Sequence, residues 1–280
     1  MSASFGERLR AALRARGPLC VGIDPHAALL DAWGLPQDPV GVREFGLRVV
    51  DAAAGRVGAV KPQVSFFERF GSRGFAALED VMSAARAAGL LVVADAKRGD
   101  IGTTMAGYAQ AWLAPGAPLE ADALTVSPYL GGGALAEAIT VALPAGKGVF
   151  VLAATSNPEG AAVQRGRTDV VGESVALRVA RDVIALDAPH GDLGSVGLVI
   201  GATIDRADFS LDDATLRTVP LLAPGFGAQG AAPEDLRAGF GTLAGNVLAC
   251  ESRSILSAGP DRIAATIDER AARYQEVMGG

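Results

Sequence analysis

Eight short apolar segments, bounded by polar, glycine or proline residues, recur along this chain of 280 residues. Runs of this length that are rich in β-branched residues are typical of buried strands. The predicted strands are Leu19–Ile23, Gly58–Val60, Leu90–Ala94, Ala123–Val126, Val149–Ala153, Gly197–Ile200, Leu221–Ala223 and Asn246–Cys250.

Longer stretches rich in Ala, Leu and Arg lie between the predicted strands and suit helices. The predicted helices are Pro39–Gly55, Phe66–Ala88, Gly102–Ala114, Gly133–Ala142, Val170–Leu186, Leu211–Arg217, Pro233–Gly239 and Asp261–Met278. Strands that alternate with helices predict a parallel sheet. Eight such repeats favour an α/β fold, a single (β/α)8 TIM barrel over residues 1–280, with a doubly wound open sheet as the alternative.

Composition narrows the class of protein. A chain of 280 residues that is 50% hydrophobic can bury one large core, and its net charge of -6 argues against a nucleic-acid partner. No apolar stretch approaches the length of a membrane span, and residues 1–17 lack the apolar segment of a signal peptide. We therefore expect a cytoplasmic protein with no membrane partner.

The few cysteines and histidines limit the available chemistry. Cys20 and Cys250 both fall in predicted strands and lack the spacing of a zinc site or a disulfide framework, so we expect buried, reduced thiols. His26 is interpreted as a loop residue outside the site. His190 is expected to be exposed at the opposite rim of the barrel.

The run Asp95-Ala96-Lys97-Arg98-Gly99-Asp100 directly follows the third predicted strand. Strand alternation would place Asp95 and Lys97 on one face, with Asp100 in the loop that follows. Charged residues are rarely buried unless they are paired, and nearby carboxylates keep a lysine cationic. Such a lysine can stabilise a carbanion and then protonate it. The alternative from this run alone is a structural ion-pair network at a strand end.

Polar residues also follow most of the other predicted strands. Barrel enzymes place their sites at the carboxyl ends of the strands, whereas a structural ion-pair network would not require such convergence. These residues are Asp24-Pro25, Lys61-Pro62-Gln63, Ser127-Pro128-Tyr129, Thr155-Ser156-Asn157, Thr203, Pro224-Gly225 with Gln229, and Ser252-Arg253-Ser254.

The loops after the last two strands, Pro224–Gly230 and Glu251–Ser254, indicate a phosphate site. Glycines let the backbone approach an anion, and Arg253 can hold two phosphate oxygens at once. Each loop alone could be a simple turn, but barrels usually bind phosphate at these two positions. A third segment, Asn157 to Arg167, lacks apolar periodicity and is interpreted as either a lid or a plain surface loop.

Six motifs, in order along nearly the whole chain, resemble the orotidine 5'-phosphate decarboxylase family. The length and the segment Thr125-Val126-Ser127-Pro128-Tyr129 look closest to its longer bacterial type. The motifs are Gly22-Ile23-Asp24-Pro25, Val60-Lys61-Pro62, Asp95-x-Lys97-x-x-Asp100-Ile101-Gly102, Thr155-Ser156-Asn157-Pro158, Pro224-Gly225-x-Gly227-x-Gln229-Gly230 and Ser252-Arg253-Ser254.

The resemblance implies decarboxylation of orotidine 5'-monophosphate (OMP) to UMP and CO2, the last step of de novo pyrimidine nucleotide biosynthesis. It also implies a homodimer with shared active sites that needs no cofactor and no metal. In the catalytic set, Lys97 would protonate C6 and Asp95 would face the substrate carboxylate. Asp100, with Ile101 and Thr104, would reach into the neighbouring subunit's site.

The remaining motifs imply the contacts that hold the substrate. Asp24 and Lys61 would bind the ribose, and Ser156 would contact the pyrimidine amide. Gln229 would bridge base and phosphate, and Arg253 would bind the phosphate. The implied substrate-binding set is Asp24, Lys61, Ile101, Thr104, Ser156, Gln229, Ser252 and Arg253.

Two other functions share parts of this pattern. A Mg2+-dependent phosphosugar decarboxylase or aldolase of the same barrel superfamily carries the Asp-x-Lys-x-x-Asp run, by resemblance, and uses an enediolate intermediate. Lys61 and the Gln229 motif argue against it. A catalytically silent phosphate-binding barrel would have no need of the intact trio Asp95, Lys97 and Asp100.

Overall fold

Eight parallel strands close into a barrel in the computed structural model, which describes residues 3–187 and 192–279. The strands follow one another in sequence order, and the last pairs with the first. The closed barrel confirms the predicted (β/α)8 fold and rules out the open sheet. The strands are β1 (Leu19–Ile23), β2 (Ala59–Pro62), β3 (Leu91–Arg98), β4 (Ala123–Val126), β5 (Gly148–Ala154), β6 (Val196–Ile200), β7 (Leu221–Pro224) and β8 (Val247–Glu251).

Helices surround the barrel, and a continuous apolar layer separates them from the strands. In the described parts of the chain, three 3-10 turns accompany them, at Gly132–Leu135, Arg206–Phe209 and Gly241–Asn246. The α-helices are α1 (Phe5–Arg16), α2 (Ala27–Ala32), α3 (Pro39–Ala53), α4 (Ser65–Glu68), α5 (Gly71–Ala87), α6 (Gly102–Leu113), α7 (Ala136–Ala142), α8 (Pro158–Gln164), α9 (Val175–Ile184), α10 (Asp213–Leu216), α11 (Asp235–Phe240), α12 (Arg253–Leu256) and α13 (Ile263–Gly279).

Several element bounds differ from those predicted. The single helix predicted from Phe66 to Ala88 is two helices, because Gly71 adopts a φ of 63° and breaks it. The helix predicted from Val170 begins only at Val175, since Ser174 caps it by accepting a hydrogen bond from the backbone of Leu177. Strand β3 runs four residues beyond its predicted end and includes the charged run.

Helix α1, which the strand and helix pattern did not predict, closes the amino end of the barrel. Ser4 and Glu7 form a capping box at its start. Phe5 packs edge-on against Phe150 of β5, with ring centroids 5.9 Å apart. Arg8 pairs with Asp122 at 2.6 Å just before β4. This end is therefore sealed by apolar packing and charge pairing, and the opposite end holds the cavity described below.

Cys20 and Cys250 lie side by side on β1 and β8 inside the barrel, and both are buried and reduced, as predicted. A hydrogen bond with Cys250 and burial raise the pKa of the Cys20 thiol well above its ordinary value. His190 lies outside the described residues. Within the described residues, no helix is both long and apolar enough to cross a membrane.

Candidate active site

A cavity of about 570 Å³ opens at the carboxyl ends of the strands. The segments after five of the eight strands contribute to its wall, together with residues inside the strands, so residues far apart in sequence meet there. Eight of the eleven predicted site residues line it: Asp24, Lys61, Asp95, Lys97, Ser156, Gln229, Ser252 and Arg253.

Asp95 is the centre of the charged cluster in this cavity. One carboxylate oxygen accepts a hydrogen bond from Lys61 Nζ at 2.9 Å, and the other accepts one from Lys97 Nζ at 2.6 Å. The side chain of Lys61 is 8% exposed, whereas that of Lys97 is 46% exposed. Lys97 is therefore the ammonium that is accessible to a ligand in the cavity, and Lys61 pairs with Asp95 from a buried position.

The paired charges keep this cluster ionised. Burial alone would raise the pKa of Asp95, but the ammonium groups of Lys61 and Lys97 outweigh it and lower that pKa well below its ordinary value. Burial would likewise lower the pKa of Lys61, yet the charges of Asp95 and Asp24 raise it above the ordinary range. At neutral pH the cluster presents a fixed carboxylate between two ammonium groups.

Two buried polar atoms in the cavity lack hydrogen-bond partners among the described residues: Asp24 Oδ1 and Ser252 Oγ. They lie close together across β1 and β8. Gly22 makes room for them, because a Cβ there would come within 2.7 Å of Ser252 Cβ and 3.4 Å of Asp24 Oδ1. Buried polar atoms are nearly always paired, so this corner is suited to a hydroxyl-bearing ligand.

The loop after β7 has the backbone of an anion-binding turn. Gly225, Gly227 and Gly230 have φ values of 122°, 71° and 111°, a region that disfavours residues with a side chain. The loop is held by its own backbone, because Gly227 N donates to the Ala231 carbonyl at 2.7 Å. Its glycines leave the backbone open to close approach by a ligand.

The loop after β8 packs against this glycine loop through Ser254, whose hydroxyl donates to Glu251 Oε2 at 2.7 Å. Glu251 is buried and also accepts a hydrogen bond from the Tyr274 hydroxyl at 2.9 Å. Burial and the charge of Glu251 raise the pKa of Tyr274. Arg253 is exposed at the cavity wall, and its guanidinium has no ion-pair partner in residues 3–187 and 192–279. It is therefore available to an anion.

The other three predicted site residues, Asp100, Ile101 and Thr104, lie outside the cavity of their own chain. Ile101 and Thr104 are exposed at the start of α6, and the half-buried Asp100 lies just before it, where its Oδ1 accepts a hydrogen bond from the backbone of Ile101 at 2.8 Å. Among the described residues, no ion pair joins Asp100 to Lys97. Within one chain, Asp95 is therefore the carboxylate that pairs with Lys97 among the described residues.

His26 and Thr125 also line the cavity, although neither is among the predicted site residues. The interpretation of His26 as a residue outside the site is wrong: its ring packs edge-on against Phe66 at the cavity wall, with centroids 4.3 Å apart. Thr125 lies inside β4 and faces the charged cluster. The sequence feature that could have indicated this role is a single hydroxyl residue within an otherwise apolar predicted strand.

The segment after β5 is a short helix. Helix α8 is tied to the strand end, since Gln164 accepts a hydrogen bond from the Thr155 backbone at 2.9 Å. Arg165 then pairs with Asp208 at 2.6 Å. Asn157, at the start of the segment, lines the cavity. The segment thus borders the cavity and contains a helix, where its sequence had been interpreted as either a lid or a plain surface loop.

Metal-binding side chains do not gather in this cavity. In the part of the chain that the structure describes, no three His, Cys, Asp or Glu side chains come together in a way that could hold a metal ion. The positive charge of the cavity comes from Lys61, Lys97 and Arg253.

A closed parallel barrel with a lysine–carboxylate cluster at the carboxyl ends of its strands defines a (β/α)8-barrel enzyme. The sequence model described as "Orotidine 5'-phosphate decarboxylase / HUMPS family" matches residues 17–266. This chain belongs to that family, and its curated relatives are named orotidine 5'-phosphate decarboxylases, which are carboxy-lyases.

Known relatives cover nearly the whole chain. An orotidine 5'-phosphate decarboxylase of Salinispora tropica is 55% identical over 261 residues, which is 93% of this chain and 92% of the relative. One from Streptomyces coelicolor is 55% identical over 258 residues, 92% of this chain and 91% of the relative. The crystal structure of a candidate for the same enzyme from Streptomyces avermitilis has a TM-score of 0.93 at 49% identity and covers 100% of this chain and 97% of its own. OMP decarboxylase of Leishmania donovani has a TM-score of 0.79 at 31% identity and covers 99% of each chain.

Proposed function

We propose that this protein decarboxylates OMP to UMP and CO2, the last step of de novo pyrimidine nucleotide synthesis. The observation that carries the proposal is the contact of 2.6 Å between Lys97 Nζ and Asp95, with Lys97 half exposed to the cavity. A carboxylate and an ammonium held side by side suit a reaction in which a carboxylate leaves and a proton takes its place.

The cavity offers partners for each part of the nucleotide. The phosphate binds to Arg253 and to the glycine loop after β7, where the backbone can approach an anion. The ribose hydroxyls bind to Lys61 and to the unpaired Asp24 Oδ1. Ser156 and Gln229 line the same cavity, and in this proposal they bind the base. Phosphate and ribose contacts hold C6 at the Lys97 ammonium.

The chemical step breaks the bond between C6 and the carboxyl carbon. The electron pair stays on C6 as a carbanion, CO2 leaves, and Lys97 stabilises the charge and donates a proton to C6. Lys97 then regains a proton from water. Asp95 is fixed beside the substrate carboxylate, and the repulsion between the two carboxylates disfavours the ground state. That repulsion is lost as CO2 leaves.

The surface at the start of α6 supports a homodimer with shared sites. Ile101 is 61% exposed, and Tyr129 and Leu130, which follow β4 next to β3, are 85% and 55% exposed. Exposed apolar residues in the segments after two neighbouring strands suit a partner surface. In this proposal a second copy of the chain covers them and Asp100 enters the partner's cavity.

The phosphosugar rival is less well supported by the site. It needs Mg2+, whereas the positive charge at the centre of this cavity comes from two lysines that both pair with Asp95. The curated relatives at 55% identity, named above, are all called orotidine 5'-phosphate decarboxylases.

Turnover of OMP by the purified full chain, with and without EDTA, tests the proposal directly. We expect UMP and CO2 to form in equal amounts, with a rate that exhaustive chelation leaves unchanged, because Lys97 supplies the charge that a metal would bring. Activity that is lost with EDTA and recovered with Mg2+ would favour the phosphosugar rival. No turnover of OMP in either condition would overturn the proposal.

Arg253→Ala is expected to weaken the use of OMP through the phosphate. Loss of one charged partner of a bound phosphate should cost about 2–5 kcal/mol in kcat/KM. The loss should be much smaller for orotidine, which lacks the phosphate. The exposed Arg262, which does not line the cavity, gives a matched control in Arg262→Ala, which should leave both substrates unaffected. Equal losses for OMP and orotidine would show that Arg253 acts structurally.

A further inference from the structure

We infer that Thr125 is a positioning residue that sets the geometry of both Asp95 and Lys97 through one hydroxyl. The inference rests on the proposed decarboxylation and concerns a residue that touches the charged cluster from the neighbouring strand. Thr125 is 1% exposed and lies within β4, and its hydroxyl faces the cavity. Its position in the barrel gives it a role that an apolar residue of the same shape lacks.

The pairing of β3 with β4 is irregular at this residue. Ala94 pairs with Leu124 and Arg98 pairs with Val126, so three residues of β3 lie opposite one residue of β4. The three are Asp95, Ala96 and Lys97, and the one is Thr125. A bulge of this kind re-aims side chains and is common beside active sites. Here the bulge interrupts the regular pleat of β3 at Asp95, Ala96 and Lys97.

The hydroxyl of Thr125 supplies the contacts that the bulge takes away. Its oxygen accepts a hydrogen bond from the Lys97 backbone N–H at 3.0 Å, which replaces the missing ladder partner. The hydroxyl donates a hydrogen bond to Asp95 Oδ1 at 2.9 Å. The same oxygen accepts a hydrogen bond from the Lys97 ammonium at 2.6 Å. One hydroxyl therefore links the backbone of the lysine to the carboxylate that its side chain contacts.

Lys97 needs such support because its backbone is unusual. Its φ is 51°, one of two positive values among non-glycine residues of the described chain. Residues with a Cβ occupy this region only when surrounding contacts hold them there, and such residues cluster at functional sites. The hydrogen bond from Lys97 N–H to Thr125 is the contact that holds it. Without the hydroxyl, Lys97 could relax toward extended backbone and carry its ammonium away from Asp95.

Two substitutions separate the hydroxyl from the shape of the side chain. Thr125→Val keeps the shape and removes the hydroxyl, whereas Thr125→Ser keeps the hydroxyl. Ser195→Ala is the matched control, because Ser195 is a buried hydroxyl that accepts from the Gly6 backbone at 3.2 Å at the opposite end of the barrel. Should Thr125→Val not fold, Thr125→Ala compared with Thr125→Ser isolates the same hydroxyl.

The kinetic readout is the split between kcat and KM for OMP, together with inhibition by UMP. We expect Thr125→Val to lower kcat about tenfold to a hundredfold, the loss typical of a misplaced catalytic group. KM and the UMP inhibition constant should stay within about threefold, since phosphate and ribose contacts remain. Thr125→Ser and Ser195→Ala should retain kcat within about threefold.

Three kinetic results would overturn the inference. They are an unchanged kcat in Thr125→Val, a loss of UMP affinity as large as the loss of kcat, and a Thr125→Ser enzyme as slow as Thr125→Val. Crystal structures of the wild type and Thr125→Val give a second test that needs no turnover. If the wild-type protein does not convert OMP, the proposed function is wrong, but the inference about Thr125 is still tested by the crystal structures. That inference is wrong if the Lys97 backbone and its contact with Asp95 are unchanged in Thr125→Val.

Discussion

Lys97→Ala is expected to lower kcat for OMP about ten-thousandfold while the barrel stays folded, since it removes both the charge facing the carbanion and the proton donor. The side chain is 46% exposed at the cavity, so its loss leaves no large void in the core. Single-turnover measurement of CO2 release isolates the chemical step. Thermal unfolding of the same protein reports whether the fold persists.

The matched control for this substitution is Arg69→Ala, which removes one positive charge from an exposed residue that does not line the cavity. It should decarboxylate OMP at the wild-type rate. UMP should still bind to Lys97→Ala, because the phosphate and ribose partners are intact. Near-normal single-turnover decarboxylation by folded Lys97→Ala would end the assignment of Lys97 as proton donor.

A mixture of inactive Lys97→Ala and Asp100→Ala homodimers is expected to regain activity after subunit exchange. If Asp100 enters the partner's cavity, one site of each heterodimer carries both substitutions. The other site combines an unchanged Lys97 with an unchanged Asp100. Random exchange makes half of the dimers mixed, each with one intact site, so activity should reach about a quarter of the wild type. Mass measurement of the mixture verifies the exchange.

The structure provides a matched mixture that should stay inactive. Lys61 and Lys97 both contact Asp95 of their own chain. Every active site in a Lys61→Ala and Lys97→Ala heterodimer therefore lacks one of the two lysines, and subunit exchange produces no intact site. A mixture of Lys97→Ala and Asp100→Ala that exchanges subunits and remains as slow as its parents would mean that Asp100 acts within its own chain.

Local pattern was sufficient for the barrel and for much of the site. The bounds of β1 and β4 agree with those predicted, because strands buried on both faces read as continuous apolar runs bounded by polar residues. The carboxyl ends of parallel strands meet at one end of a barrel, so the residues that follow them could be expected to converge. Eight predicted site residues do line one cavity.

Only the tertiary structure decided which charges pair. The sequence places Asp100 three residues from Lys97, yet the group that completes the cluster around Asp95 is Lys61, which is 34 residues away and arrives on the neighbouring strand. Similarly, β3 extends through the charged run because β4 supplies pairing beyond a bulge, and Thr125 contacts Asp95 and Lys97 only because of that bulge. Periodicity along a chain reports which face of an element is buried. The partner that an element meets, and the register in which they meet, depend on packing between distant segments.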